Sequence, residues 1–421
     1  MPLSAFDPVF LVSGLVYVVL SAASRLPGSS KYLKVGRFIL PVCVALAIQY
    51  RRAKNLSSYG PTECPGGTVC PFAWRQQDPA FKETALDEID LAAELGPGYG
   101  AADLERFQLS FAERFLCADR PVVVRNFQSV GLFSGVAGAD ALLATSGDAE
   151  VVFDTLNYTE LLLNGPSADG IVRGSKPLGE LLGGSGGESA LRTAWYARWA
   201  PRGGRNTAPA IYDALSRGHD TSVGVLGGAA LGVCSLKHDP LTKVEFKAFD
   251  AKVRVGQPGY SYPMHFDLMH NFAQQVAGEK HVTLFSPRDV AHLYPPIEGL
   301  FKKMAGFSYW SEVIDPYRFD LKKRFPRMRG ATAHTALLRE GDVVFVPALW
   351  MHYFHSAAAH GVMTNTFIKP LVPSEEDGFS AFVFNALPEE WLQYREETGS
   401  IIPQVSQFLW KREQRGSQNR A

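Results

Sequence analysis

The sequence predicts a mainly β protein: a jelly-roll core with flanking helices, preceded by a hydrophobic N-terminal anchor. Three observations carry this. From about residue 221 onward, short apolar runs alternate with Gly- and Pro-containing corners, the spacing of an antiparallel sandwich or barrel. Helical periodicity is confined to stretches before and after that region. No internal repeat or low-complexity segment interrupts the chain of 421 residues.

The N-terminal run "FDPVFLVSGLVYVVLSAA" (6–23) carries one charge, Asp7, and is about long enough to cross a bilayer as a helix. A basic loop with Arg25, Lys31, Lys34 and Arg37 separates it from a shorter apolar run, "FILPVCVALAIQY" (38–50). No Lys or Arg precedes the first run, whereas signal peptides begin basic, so an uncleaved membrane anchor is expected ahead of a cleaved presequence or a buried helix. Flanking charge admits either side of the membrane: one span places the remainder in the cytosol, two spans place it in a lumen. Cys64 and Cys70 around "PGGTV", and sequons at Asn55 and Asn157, hint at the lumen.

After the turn-rich stretch 57–74, "ALDEIDLAAEL" (85–95) and "AADLERFQLSFAERFL" (101–116) show helical periodicity. "RPVVVRNF" (120–127) reads as a buried strand, since β-branched residues fill it between Pro and Asn. "GGSGGESA" (183–190) is a flexible loop. Further strands are expected in the second half of 244–256, at 281–287, on both sides of the Pro347 corner in "GDVVFVPALWMHYFHS" (341–356), and at 361–370. "LPEEWLQYREETG" and "QVSQFLWKREQ" read as closing helices. Lys and Arg total 42, as do Asp and Glu, so nothing in the balance calls for a nucleic-acid partner.

One stretch carries chemistry. In "GYSYPMHFDLMHNF" (259–272), His265 and Asp267 stand one residue apart at the end of a strand, so both side chains share a face and reach one point, as two ligands of a metal ion must. This is the only His-x-Asp or His-x-Glu in the chain. His352, in the corner after Pro347, is the candidate third ligand, and its Trp-x-His context favours it over His355. Two histidines and one carboxylate leave open positions, as in non-haem iron(II) oxygenases, whereas zinc usually takes four ligands and performs no redox chemistry. His270 is a candidate substrate contact or rim residue, and His219 and His238 read as structural or exposed.

The order of "RPVVVRNF", "YPMHFD", "NFAQQVAGEKHVTLFSP" with "LYP", "GDVVFVPALWMHYFHS" and "TNTF" resembles the Jumonji C family in its cupin-like hydroxylase branch, typified by asparaginyl hydroxylation of hypoxia-inducible factor. The resemblance runs from about 104 to 370 and implies a double-stranded β-helix core. It implies that His265, Asp267 and His352 hold Fe(2+), and that Lys280 grips the distal carboxylate of the cosubstrate 2-oxoglutarate. It further implies that Asn271 and Asn365 line that pocket, with O2 as the other reactant. Tyr262 stands where the family often has a threonine, which keeps a hydroxyl but changes its reach; Tyr196 matches an upstream tyrosine or fills a core position.

The implied organisation is an anchor region over 1–55, a linker and helical lead-in over 56–103, a catalytic domain over 104–372 and a helical tail over 373–421. The implied activity is oxidation of a C–H bond of a protein side chain or a small molecule, releasing succinate and CO2. A small-molecule biosynthetic oxidase that hydroxylates or closes a ring is the main rival. A lysyl demethylase lacks an accompanying reader module here, and a catalytically dead cupin scaffold would need a broken ligand set.

Overall fold

The structure is a computed structural model of the chain. It describes residues 81–127, 147–157, 171–183, 193–199, 234–236, 239–256, 260–295, 308–317, 324–356 and 361–371, with single positions at 144, 226, 390, 391 and 393. These lie in the second of two compact units, Cys64–Ala421; the first, Met1–Glu63, falls outside the described residues.

In chain order the strands are β1 (Lys82–Ala85), β2 (Asp87–Asp90), β3 (Val122–Arg125), β4 (Glu150–Asn157), β5 (Ile171–Pro177), β6 (Thr193–Trp199), β7 (Ser235–Leu236), β8 (Asp239–Lys243), β9 (Glu245–Gly256), β10 (Ser261–Asp267), β11 (His270–Ala277), β12 (Lys280–Phe285), β13 (Ser308–Trp310), β14 (Thr332–Leu338), β15 (Val343–Val346), β16 (Met351–Ser356) and β17 (Gly361–Leu371). One sheet runs β1-β14-β12-β16-β10-β13, the other β2-β3-β15-β11-β17-β9-β6-β4-β5, and β7 pairs with β8. From β9 onward the chain alternates between sheets, except that β12, β13 and β14 all join the first. Strands β10, β12, β14 and β16 join the first, while β9, β11, β15 and β17 join the second, and the pairing among them is antiparallel. That winding is mainly β and fits the expected jelly-roll core.

Both faces of the central strands are buried, and a strand's period of two sorts its residues between two apolar layers. Val344, Val346, Ala273, Phe354 and Met363 fall in one cluster; their neighbours Val343, Phe345, Phe272 and Tyr353 fall in the other. The second cluster is closed by a helix, Ala101–Phe111, continued by a π turn over Ala112–Leu116. Phe107, Phe111 and Phe115 recur every four residues and form its buried stripe. The Phe111 ring lies 6.2 Å from Phe272 and 6.1 Å from Phe345. The Asp103 carboxylate accepts from the Gly100 N–H at 2.9 Å and holds the helix start. Cys117, just past the helix, is disulfide-bonded to Cys234; Cys64 and Cys70, singled out by the sequence, lie outside the described residues.

The strands expected at 120–127, 281–287, 341–356 and 361–370 are present, and β9 is strand over nearly all of 244–256, not its second half alone. Of the loop expected at 183–190, Gly183 ends a short helix, Leu178–Gly183, and the rest lies outside the described residues; of the C-terminal helices only positions 390, 391 and 393 are described, as helical. One expectation fails in part. Residues 85–95 form β1's end, β2 and only a short helix, Leu91–Leu95. Tertiary pairing overrides the local period, because Asp87–Asp90 runs parallel to Val122–Arg125 and ion pairs Arg120–Asp87 and Arg125–Glu88 tie the two strands.

The expected membrane location is corrected. Among the described residues no helix is long and apolar enough to cross a membrane. The helix Ala101–Phe111 has 11 residues, about 16 Å of rise against a hydrocarbon core of about 30 Å. The runs 6–23 and 38–50, on which that expectation stood, lie outside the described residues.

Candidate metal centre

The antiparallel register of β10 and β16 sets His265 directly opposite His352. Asp267, two residues along β10, joins them on the same face. The Asp267 Oδ2 lies 4.0 Å from His265 Nε2 and 3.6 Å from His352 Nε2, and ligand atoms of all three lie within 4.8 Å of one another. All three side chains are buried.

Hydrogen bonds fix which nitrogen of each ring is available. His265 Nδ1–H donates to the Pro263 carbonyl at 2.8 Å, and His352 Nδ1–H donates to the Trp350 carbonyl at 2.9 Å. A carbonyl only accepts, so the proton sits on Nδ1 and the Nε2 lone pair of each ring faces Asp267. Burial, then the neighbouring His352 and Arg254, pushes His265 well below its ordinary range. Burial also lowers His352, partly offset by Asp267. Two neutral imidazoles and one carboxylate converging in a buried site make a donor set that fits a divalent metal ion.

The corner that delivers His352 is tied at three points. Leu349, at φ 68, donates its N–H to the Asp267 carbonyl at 2.8 Å. The Ala348 N–H donates to His270 Nδ1 at 3.0 Å, and Trp350 Nε1–H donates to the Asp119 carbonyl at 3.1 Å. His270 is therefore not a rim residue. It is fully buried, with Nε2 facing the Asp119 carboxylate at 3.8 Å.

His355 lies apart from the triad, on the opposite face of β16. Its Nδ1 is hydrogen-bonded to Ser261 Oγ at 2.6 Å, and burial pushes its pKa down to about 3.

The residues expected around a cosubstrate spread along the inner wall. Asn365 Nδ2 donates to Asn271 Oδ1 at 3.2 Å across β17 and β11. Lys280 is buried, its Nζ 3.9 Å from Met363 Sδ, and burial followed by the Arg254 charge pushes it down to about 7. A Cβ on Gly361 would stand 3.1 Å from Lys280 Cε, so glycine makes room for the lysine shaft. The Tyr262 ring lies 4.8 Å from that of His265. Tyr196 sits on β6 opposite Gly256, away from the triad's strands in the register.

Sequence reasoning missed Arg254 and Asp119, and used Trp350 only as the context of His352. For Arg254 a signal existed, since a charged residue inside the strand "AKVRVG" demands a special surrounding.

Residues 209–371 match the Cupin-like domain family, and the chain carries a cupin-like domain. Several curated relatives match part of this chain. One is tRNA wybutosine-synthesizing protein 5 of Mus musculus, 38% identical over 136 residues, covering 32% of this chain and 39% of that protein. Jumonji C domain-containing protein 5 of Drosophila melanogaster is 32% identical over 111 residues, 26% of each chain. HSPB1-associated protein 1 of Bos taurus is 37% identical over 121 residues, 27% of this chain and 23% of that protein. The chain thus spans 39% or less of these curated relatives.

Proposed function

We propose that the protein is an iron(II)- and 2-oxoglutarate-dependent oxygenase that oxidises a C–H bond of a protein side chain or small molecule, releasing succinate and CO2. The observation that carries this is the buried His265–Asp267–His352 set with both Nε2 lone pairs turned inward. Iron bound there would supply the oxidising chemistry from O2. This chain's own residues supply the rest. Backbone carbonyls of Pro263 and Trp350 hold the ring protons on Nδ1 and aim the ligands. Lys280 places one positive charge at the buried end of the pocket, suited to the distal carboxylate of a dicarboxylate. Asn271 and Asn365 offer uncharged amide donors, and Tyr262 a hydroxyl beside His265. Tyr196, on β6 opposite Gly256, stays a candidate for the cosubstrate site by its match to the family's upstream tyrosine. The apolar lining of Ala273, Val282, Leu284 and Met363 excludes water around these groups.

A second reading concerns the substrate. Relatives from mouse, chicken, human and zebrafish, 37–39% identical over the matched region, are named tRNA wybutosine-synthesizing protein 5, which favours a modified nucleoside as the oxidised group. The activity itself is tested by anaerobic loading of purified protein with iron, followed by succinate release from 2-oxoglutarate on admitting O2. Iron-dependent succinate supports it, and its absence in iron-loaded protein contradicts it. Comparing protein, nucleoside and metabolite masses from cells with and without the enzyme separates the substrates.

A further inference from the structure

The inner wall carries more than one cation, and Lys280 accounts for only one of them. On β9, alternate residues Lys252, Arg254 and Gly256 stand opposite Asn365, Met363 and Gly361 of β17. Met363 belongs to the inner apolar layer and touches Lys280 Nζ. Arg254 therefore stands beside the cosubstrate end of the pocket by register. Its side chain also leans toward the triad, with the guanidinium carbon 5.7 Å from the centre of the Tyr262 ring, itself 4.8 Å from the His265 ring. Its field reaches His265, His352 and Lys280 alike.

Resting on the reading of the triad as the metal site and of Lys280 as the cosubstrate's partner, we propose that Arg254 binds an oxyanion of the primary substrate, a carboxylate or a phosphate, beside the metal. A dicarboxylate cosubstrate brings two anionic groups. One is assigned to Lys280 and the other to the metal, so the cosubstrate does not by itself engage the Arg254 fork. The guanidinium fork suits a planar or tetrahedral oxyanion through two parallel N–H donors, which the lysine point charge does not offer. Five donors let one edge keep a protein partner while another takes the ligand. An anion there also relieves the mutual repulsion of Arg254, Lys280 and the metal, so substrate binding and cosubstrate binding reinforce each other.

The test uses the full chain loaded with one equivalent of Mn2+ and saturating 2-oxoglutarate. Inorganic phosphate and acetate serve as separate probes, read by 31P and 13C line broadening from the bound Mn2+. The wild type should broaden one of the two probes, and which one names the source of the oxyanion. Arg254→Gln should lose that broadening by roughly tenfold or more, and Arg254→Lys should keep part of it. Arg254→Gln should change the apparent constant for 2-oxoglutarate far less than Lys280→Ala does. If Arg254→Gln raises that constant as far as Lys280→Ala does, or leaves the broadening intact, the proposal is wrong. Wild-type protein that binds no Mn2+ would sink the metal reading and this proposal with it.

Discussion

Along β11 and β15, successive side chains serve two different layers. Outward, Phe272 and Phe345 meet Phe111 of the covering helix, with ring centres about 5 to 6 Å apart. Inward, Asn271, Ala273, Val344 and Val346 share the interior with Lys280, Asn365 and the triad. The outer layer is apolar around Phe111, with His270 and Gln274 the buried polar side chains on that face of β11, so its contribution scales mainly with buried area and a well-packed hydrophobe of similar volume serves at the Phe positions. The inner layer buries a lysine, amides and two imidazoles, each tolerable only with a partner at a set distance. Stability is concentrated on one face of the sheet and chemistry on the other, one residue apart.

Substitutions should separate the faces, and the largest effect is expected at the triad. His265→Ala, Asp267→Ala or His352→Ala should each abolish 2-oxoglutarate turnover, because one of three ligands is lost. His355→Ala should retain substantial turnover, since its Nδ1 serves Ser261 and not the site. A dead His355→Ala beside an active His352→Ala would reverse the ligand assignment.

On the outer face, Phe111→Ala should cost about 3–5 kcal/mol of stability by denaturant melt. Turnover constants below the melting range should change little. A selective loss of turnover without destabilisation would show that the two layers are not separable in this way.

Lys280→Ala should raise the apparent constant for 2-oxoglutarate by about thirty-fold or more, because truncating one side of a buried charged pair costs roughly 2–5 kcal/mol. Lys280→Arg should recover part of the loss. Since Lys280 is held near 7 in the free protein, binding a dianion above that pH must bring a proton with it. The constant should then worsen by up to about tenfold per pH unit above 7. The sign for stability is the reverse. The unfolded chain keeps this proton up to its ordinary value of 10.5, so between 7 and 10.5 the unfolded state binds more protons and the contribution of Lys280 rises with pH. A 2-oxoglutarate titration at a series of pH values checks the first statement; a flat constant from pH 6 to 9 would place Lys280 outside the cosubstrate's reach.

The smallest effect is expected at His270, which acts on His352 only through the corner at Ala348. His270→Ala should weaken metal binding by about tenfold, and His270→Asn should restore much of it, since its amide oxygen can accept from the Ala348 N–H. The absorption spectrum of a Co2+-loaded protein should shift in the alanine variant and return in the asparagine one.

These two layers were unequally legible in the sequence. The covering helix was readable because Phe107, Phe111 and Phe115 keep a helical period, and the strands because β-branched runs end at Gly and Pro. His265 and Asp267 were readable because a strand puts i and i+2 on one side, and His352 by its place in the Trp-x-His corner. Arg254 was not, since alternation assigns it a face but only the pairing of β9 with β17 tells that the face is inward. His270 and Asp119 are joined across 151 residues of chain, and Cys117 and Cys234 across 117, separations at which local pattern carries no information. Residues 85–95 failed for a related reason: the partner strand that made β2 extended lies more than thirty residues away.

The central claim is that His265, Asp267 and His352 together hold one divalent metal ion. Anaerobic titration of metal-free protein with Fe2+, or with Mn2+ followed by electron paramagnetic resonance of the unbound ion, tests it without any substrate. The expected result is one tightly bound ion per wild-type chain and loss of that binding in Asp267→Ala, with both proteins folded by circular dichroism. Equal binding by the two proteins, or none by the wild type, would contradict it.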